Sequence, residues 1–203
     1  MNMTRTTVLS SLLALVLGSC GGPQDPATED LTAAEHEAEA DREEAAAADR
    51  VRQSEAAPRK MHGVDTYDPA AGHLTDAEAH RAHAQAHRDQ AAALRAFEEQ
   101  ECSQFPPSSR EACPFLLGLE SLEHIDGGAR MTFAEGSDVE AVVDHIRCHL
   151  AFVAAQGSEG IDDCALYVPG TTVEQNGNVV VLTTPRDEHV DELRRRLNVQ
   201  LTH

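Results

Sequence analysis

The sequence predicts an α+β fold, in which a four-stranded antiparallel sheet carries two helices packed on one face. The main observation is Asn176-Gly177, a dipeptide typical of two-residue β-hairpin loops because both residues adopt positive φ readily. A similar turn signal, Asp126-Gly127-Gly128, lies earlier in the chain. Both turns separate apolar segments of strand length, which predicts two hairpins. The flanking segments are 115–123 and 129–133 for the first hairpin, and 165–174 and 179–184 for the second.

A helix is predicted after each hairpin, so that strand-strand-helix occurs twice, as a ββαββα domain. The first helix starts at Ser137, where Ser137-x-x-Glu140 fits a capping box, and extends to about Ala155. Pro185 and Asp187 open the second. Large apolar residues recur at helical spacing in both helices, so each helix has an apolar face that can pack against the sheet. These residues are Val139, Val142, Val143, Ile146 and Leu150, then Val190, Leu193 and Leu197.

Residues before this domain divide into a leader, a spacer and one long helix. Between 27 and 59 the chain is mostly Ala, Glu, Asp and Arg, without a stripe of large apolar side chains. We expect a solvated, partly helical spacer there, because alanine alone buries too little surface to offset the ordering entropy. A capping box at Thr75-x-x-Glu78 predicts the start of the long helix. The predicted segments are 1–19, 20–73, 74–101 and 102–203.

The N-terminal residues have the organisation of an export signal. Arg5 precedes an apolar run from Val8 to Leu17, which is too short to span a bilayer. The run ends in Leu17-Gly18-Ser19-Cys20, which resembles the lipobox of bacterial lipoproteins. The resemblance implies that Cys20 is acylated and becomes the first residue of the mature chain. Because no aspartate follows Cys20, it also implies an outer-membrane anchor, which we expect to face the periplasm. A short buried helix or an ordinary signal peptide is the alternative.

Composition excludes some partners. The formal net charge is −19, and a chain this acidic is repelled by nucleic acid and by anionic lipid headgroups. Aromatic residues are scarce and tryptophan is absent, which disfavours stacking platforms for bases or sugars. The expected partners are therefore the membrane, through the lipid anchor, and an unidentified protein or a divalent metal ion.

Three histidines on the long helix are candidate metal ligands. His80, His83 and His87 fall on one side of the helix, in line with the apolar residues that dock its C-terminal half. One interpretation is that they are packed or solvated. The other is a chelating face for Cu²⁺ or Zn²⁺, since an i, i+4 histidine pair can share one ion. Three histidines along one helix do not easily converge on a tetrahedral centre, so a carboxylate or a distant residue must complete the site.

Four cysteines remain after Cys20. In an exported domain they favour disulfides, and the preferred pairs are Cys102–Cys113 and Cys148–Cys164. Cys148 lies opposite the apolar stripe of its helix, however. We therefore expect that helix to be buried on both sides, between the sheet and the long helix, which would also bring Cys102 or Cys113 within reach of Cys148.

His145, Cys148 and His149 lie on adjoining positions of the helix that starts at Ser137. The simplest interpretation is that the two histidines pack beside a disulfide-bonded cysteine. Imidazole and sulfur also suit copper or zinc, and a Cys148 nucleophile is a further alternative. The favoured function is a non-enzymatic, membrane-anchored binding or structural module without a cofactor. The alternatives are a metal-handling lipoprotein, with His145 and His149 joining the long-helix histidines across a helix–helix contact, and a thiol enzyme.

Overall fold

The computed structural model describes residues 25–58, 68–110, 118–159 and 163–201. These residues form four α-helices and one four-stranded antiparallel sheet, which confirms the α+β class. The signal-like segment and Cys20 lie outside the described residues. The helices are α1 (Ala33–Ala56), α2 (Pro69–Cys102), α3 (Val139–Gln156) and α4 (Asp187–Leu201). The strands are β1 (Leu119–Ile125), β2 (Gly128–Phe133), β3 (Thr172–Asn176) and β4 (Val179–Thr183).

The sheet has the strand order β1-β2-β4-β3, with two hairpins joined through their second strands. Gly127, at φ 74°, supplies the left-handed residue that the first hairpin loop needs. The second loop is Gly177-Asn178, because Asn176 still pairs with Val179. The predicted strand from 165 begins only at Thr172, since Ala165–Tyr167 forms a buried 3-10 turn.

The apolar core lies on one face of the sheet. Alternate residues of β2 and β4 point to this face, and apolar residues of α3 and α4 pack against them. Their side chains are almost fully buried. The core residues that carry this packing are Ala129, Met131, Phe133, Val143, Ile146, Val180, Leu182, Leu193 and Leu197.

Helices α1 and α2 form an antiparallel hairpin. The spacer expected over 27–59 is therefore helical over Ala33–Ala56, but it packs against α2 and is not solvated on all sides. Alanine recurs at every seventh position of each helix, and these alanines are buried in the contact. Such spacing keeps one stripe facing the partner helix, and the small side chain lets the two backbones approach closely. The buried alanines are Ala33, Ala40 and Ala47 on α1, and Ala77, Ala84 and Ala91 on α2.

Two helices begin at residues other than those predicted. Helix α2 begins at Pro69, where the Asp68 side chain accepts a hydrogen bond from the backbone N–H of Ala70, so Thr75 lies inside the helix. Proline suits the first helical position, because its N–H would be unsatisfied there in any case. Helix α3 is capped by Asp138, one residue after Ser137. Of the predicted linker 59–73, residues 59–67 lie outside the described residues.

A disulfide joins Cys102, at the end of α2, to Cys148 on α3, with their Cα atoms 4.7 Å apart. The preferred pairs Cys102–Cys113 and Cys148–Cys164 are therefore wrong. The reason is the predicted two-sided burial of α3: its sheet-facing side joins the core, while α2 packs against the side that carries Cys148. Cys113 lies outside the described residues, and Cys164 is buried in the core.

Candidate metal centre

Two histidines face each other in the middle of the α1–α2 contact. His36 on α1 and His87 on α2 each have 0% exposure, and their Nδ1 atoms are 2.9 Å apart. His36 lies between the buried alanines Ala33 and Ala40, and His87 lies between Ala84 and Ala91. The heptad spacing that buries alanine therefore also buries this pair.

A carboxylate completes the group. Glu29 follows the short 3-10 turn Pro26–Thr28, which packs against α2. One ligand atom each of Glu29, His36 and His87 lies within 4.8 Å of the other two. Two imidazoles and one carboxylate form a typical donor set for Zn²⁺, and such three-ligand sites leave one coordination position for water or an exchanging ligand.

The surroundings favour the neutral, metal-binding form of both imidazoles. Burial lowers the pKa of His36, and the neighbouring His87 lowers it further. Burial also lowers the pKa of His87, although Glu29 acts in the opposite direction. The buried Nε2 atoms of His36 and His87 have no hydrogen-bond partner in the part of the chain that the structure describes. Such unsatisfied atoms are uncommon in protein interiors and require an explanation.

The other two predicted ligands on α2 contact a different carboxylate. His80 Nδ1 lies 2.5 Å from Glu43 Oε2, and His83 Nδ1 lies 3.2 Å from Glu43 Oε1. Burial raises the pKa of Glu43, but its close contacts with His80 and His83 outweigh this effect and hold the pKa below its usual range. His83 also packs edge-on against His87, with ring centroids 4.8 Å apart.

His145 and His149 form a separate pair on α3. Their Nε2 atoms are 3.3 Å apart, and His149 Nδ1 lies 3.0 Å from the Tyr167 hydroxyl. The ring of His145 stacks on Phe105. This pair is close to the disulfide, whereas His87 precedes Cys102 by roughly 22 Å along α2 at 1.5 Å per residue. The structure therefore does not bring the two histidine groups together.

Cys148 does not offer a thiol. Its sulfur is bonded to Cys102, and both residues have 0% exposure. A Cys148 nucleophile would first require reduction of this disulfide, because nucleophilic attack requires a thiolate.

A cavity lies away from the histidines, between α3 and the turn that precedes β3. Its volume is about 680 Å³, and its lining is mainly apolar. No histidine is among the described residues that line it, so it adds nothing to the metal-binding geometry. Apolar lining residues include Leu150, Val153, Leu166, Val168 and Val173.

Sequence reasoning missed Glu29 and His36, since both belong to the segment interpreted as solvated. A detectable signal existed for His36. It lies three residues after Ala33 in the alanine heptad, and His87 occupies the equivalent position after Ala84. No comparable pattern identifies Glu29.

Protein-family models, curated proteins and solved structures were compared with this chain, and none of the three comparisons finds a match. None of the helices in the described ranges combines the length and the apolar character that crossing a bilayer requires.

Proposed function

We propose that this protein is an exported, lipid-anchored and non-enzymatic binding protein, whose α1–α2 hairpin binds one Zn²⁺ or Cu²⁺ ion through Glu29, His36 and His87. The observation that supports the proposal is the fully buried His36–His87 pair with a carboxylate beside it. Both metals favour imidazole ligands, and neutral imidazole is the form that binds.

The spacing of the pair requires little adjustment for an ion. Zn²⁺ bound to both Nδ1 atoms at about 2.0–2.1 Å would hold them roughly 3.3 Å apart in tetrahedral geometry. The present separation is 2.9 Å. Without an ion the two Nδ1 atoms can share only one hydrogen bond, in which one of them must carry the proton, whereas an ion would take a lone pair from each.

The anchor part of the proposal rests on Leu17-Gly18-Ser19-Cys20. Acylation of Cys20 would attach the chain to the outer membrane. In the sequence, α1 and α2 follow the anchored cysteine and precede the sheet-containing domain. An anchored position suits a protein that captures a metal ion or an unidentified protein partner within the periplasm.

Calorimetry on the metal-free mature chain tests the metal site. We expect one Zn²⁺ or Cu²⁺ ion per chain at micromolar or tighter affinity. Replacing both histidines with alanine (His36→Ala and His87→Ala) should weaken binding by about tenfold or more, because each ligand contributes directly. His124→Ala is the matched control, because His124 is an exposed histidine of β1.

Two results would contradict the proposal. The wild-type chain could take up no ion, in which case the buried pair is only a packing feature. Alternatively, the His36/His87 double variant could bind as tightly as His124→Ala while keeping the helix content of the wild type by circular dichroism.

A further inference from the structure

We propose that Glu43, His80 and His83 form an outer set that takes the ion from solvent and transfers it to Glu29, His36 and His87, the inner set. This inference rests on the proposed metal-binding function. It concerns how the ion reaches the site, which the inner set alone does not explain, because both of its histidines are fully enclosed.

The outer set lies one heptad away from the inner histidines along both helices. Glu43 is seven residues after His36 on α1, and His80 is seven residues before His87 on α2. The antiparallel arrangement places these positions side by side. Side-chain exposure is 32% for His80, 19% for Glu43 and 17% for His83, compared with 0% for the inner histidines.

His83 connects the two sets. Its Nδ1 lies 3.2 Å from Glu43, and its ring lies edge-on to His87 at a centroid separation of 4.8 Å. Donor atoms therefore continue from the partly exposed His80, through Glu43 and His83, to His87. An ion can exchange one ligand at a time along such a series without losing all its ligands in the apolar surroundings.

The geometry of the outer set suits transient binding. Glu43 contacts each histidine through a different oxygen, Oε2 for His80 and Oε1 for His83. The carboxylate can therefore hold an ion with either histidine, using one oxygen for each. Low coordination makes binding weak, which transfer requires and storage does not.

A second route would pass Glu29, which is only half-buried. The two routes differ in the residues that control the rate. If ions pass Glu29, variants of the outer set leave the uptake rate unchanged. If ions pass the outer set, removing its ligands raises the barrier, and it does so equally for uptake and release because both directions use one path.

Stopped-flow kinetics on the full mature chain tests the transfer route. The variant carries Glu43→Gln and His80→Gln, and the control carries Glu44→Gln and His124→Gln, which replace exposed residues of the same types. We expect the variant to slow both Zn²⁺ uptake and chelator-driven removal by about tenfold or more, with the equilibrium Kd changed by less than about twofold.

Each other outcome overturns the inference. Uptake at the wild-type rate would place the route elsewhere. A second Zn²⁺ ion per wild-type chain that disappears in the variant would make the outer set an independent site. If the Kd of the variant increases in proportion to its removal rate while its uptake rate is unchanged, Glu43 or His80 is a permanent ligand of the ion. These results leave the inner site intact, whereas a wild-type chain that binds no Zn²⁺ rejects the proposed function itself.

Discussion

His36 and His87 occupy the interior of the hairpin with their Nδ1 atoms 2.9 Å apart. A proton added to either ring would place a positive charge beside the other ring, away from water. Burial therefore lowers the pKa of both residues from the ordinary value of 6.5. The same feature that keeps the imidazoles available to a metal ion makes the metal-free hairpin sensitive to acid.

The pH dependence of stability follows from this shift. Below pH 6.5 the unfolded chain binds protons at His36 and His87 that the folded chain does not yet bind. The free energy of unfolding is therefore highest above that pH and decreases as the pH falls towards the lower pKa values of the folded state. We expect the free energy of unfolding in urea, with chelator present, to decrease between pH 7.5 and pH 5.5. His36→Ala with His87→Ala should reduce this decrease, and His124→Ala should retain it. An equal pH dependence in all three chains would show that the buried pair is not responsible.

At the scale of secondary-structure elements, the contact between α1 and α2 depends on small side chains. Ala40 and Ala84 are buried next to the inner histidines, at 1% and 0% exposure. Larger side chains there would push the helices apart, separating His36 from His87. Stability of the hairpin and geometry of the candidate site are therefore set by the same alanine stripe.

Ala40→Leu tests this dependence. We expect it to lower the free energy of unfolding by about 1–3 kcal/mol, because the added side chain overfills a close helix contact. It should also weaken Zn²⁺ binding. Ala48→Leu, on the exposed side of α1, should change the free energy by less than about 0.5 kcal/mol, since both residues favour helices. Urea denaturation followed by circular dichroism gives both values, and equal effects of the two substitutions would contradict the close-contact interpretation.

The elements that the sequence predicted best are those whose signals are local. Asn176-Gly177 marks its hairpin within one residue, and the position of Cys148 opposite the apolar stripe correctly predicts that α3 is buried on both sides. Helix α1 carries no such signal by itself. Alanine at every seventh position becomes a packing surface only when a second helix with the same spacing lies against it, so burial of α1 depends on α2.

The candidate site was only half predictable for a related reason. His87 lies on a recognisable histidine face, but His36 is 51 residues away in sequence, and Glu29 follows a short turn. The pairing of Cys102 with Cys148 likewise depends on how α2 packs against α3. Residue spacing in the sequence does not distinguish such a pairing from alternatives such as Cys102–Cys113.

At the scale of the whole molecule, the hairpin and the sheet-containing domain are joined where α2 meets α3. The disulfide lies at this junction. Beside it, the nearly buried Glu98 accepts hydrogen bonds from Arg110 at 2.9 Å and from Gln156 at 2.7 Å. The junction keeps the α1–α2 hairpin attached to the core of the sheet-containing domain, and formation of its disulfide depends on the compartment in which the chain folds.

Export and anchoring therefore make a joint prediction about the native protein. In material isolated from the cell envelope, mass spectrometry should find an acylated Cys20 at the N-terminus and a cross-linked peptide containing Cys102 and Cys148. The same chain made without residues 1–19 in a reducing cytosol, and kept reduced, should unfold in urea with a free energy lower by roughly 2–4 kcal/mol, because the disulfide restricts the unfolded chain. Cys148→Ser should reproduce this loss in the exported protein. Unmodified Cys20 would reject the anchor alone, whereas reduced Cys102 and Cys148 in the native protein would reject export to an oxidising compartment.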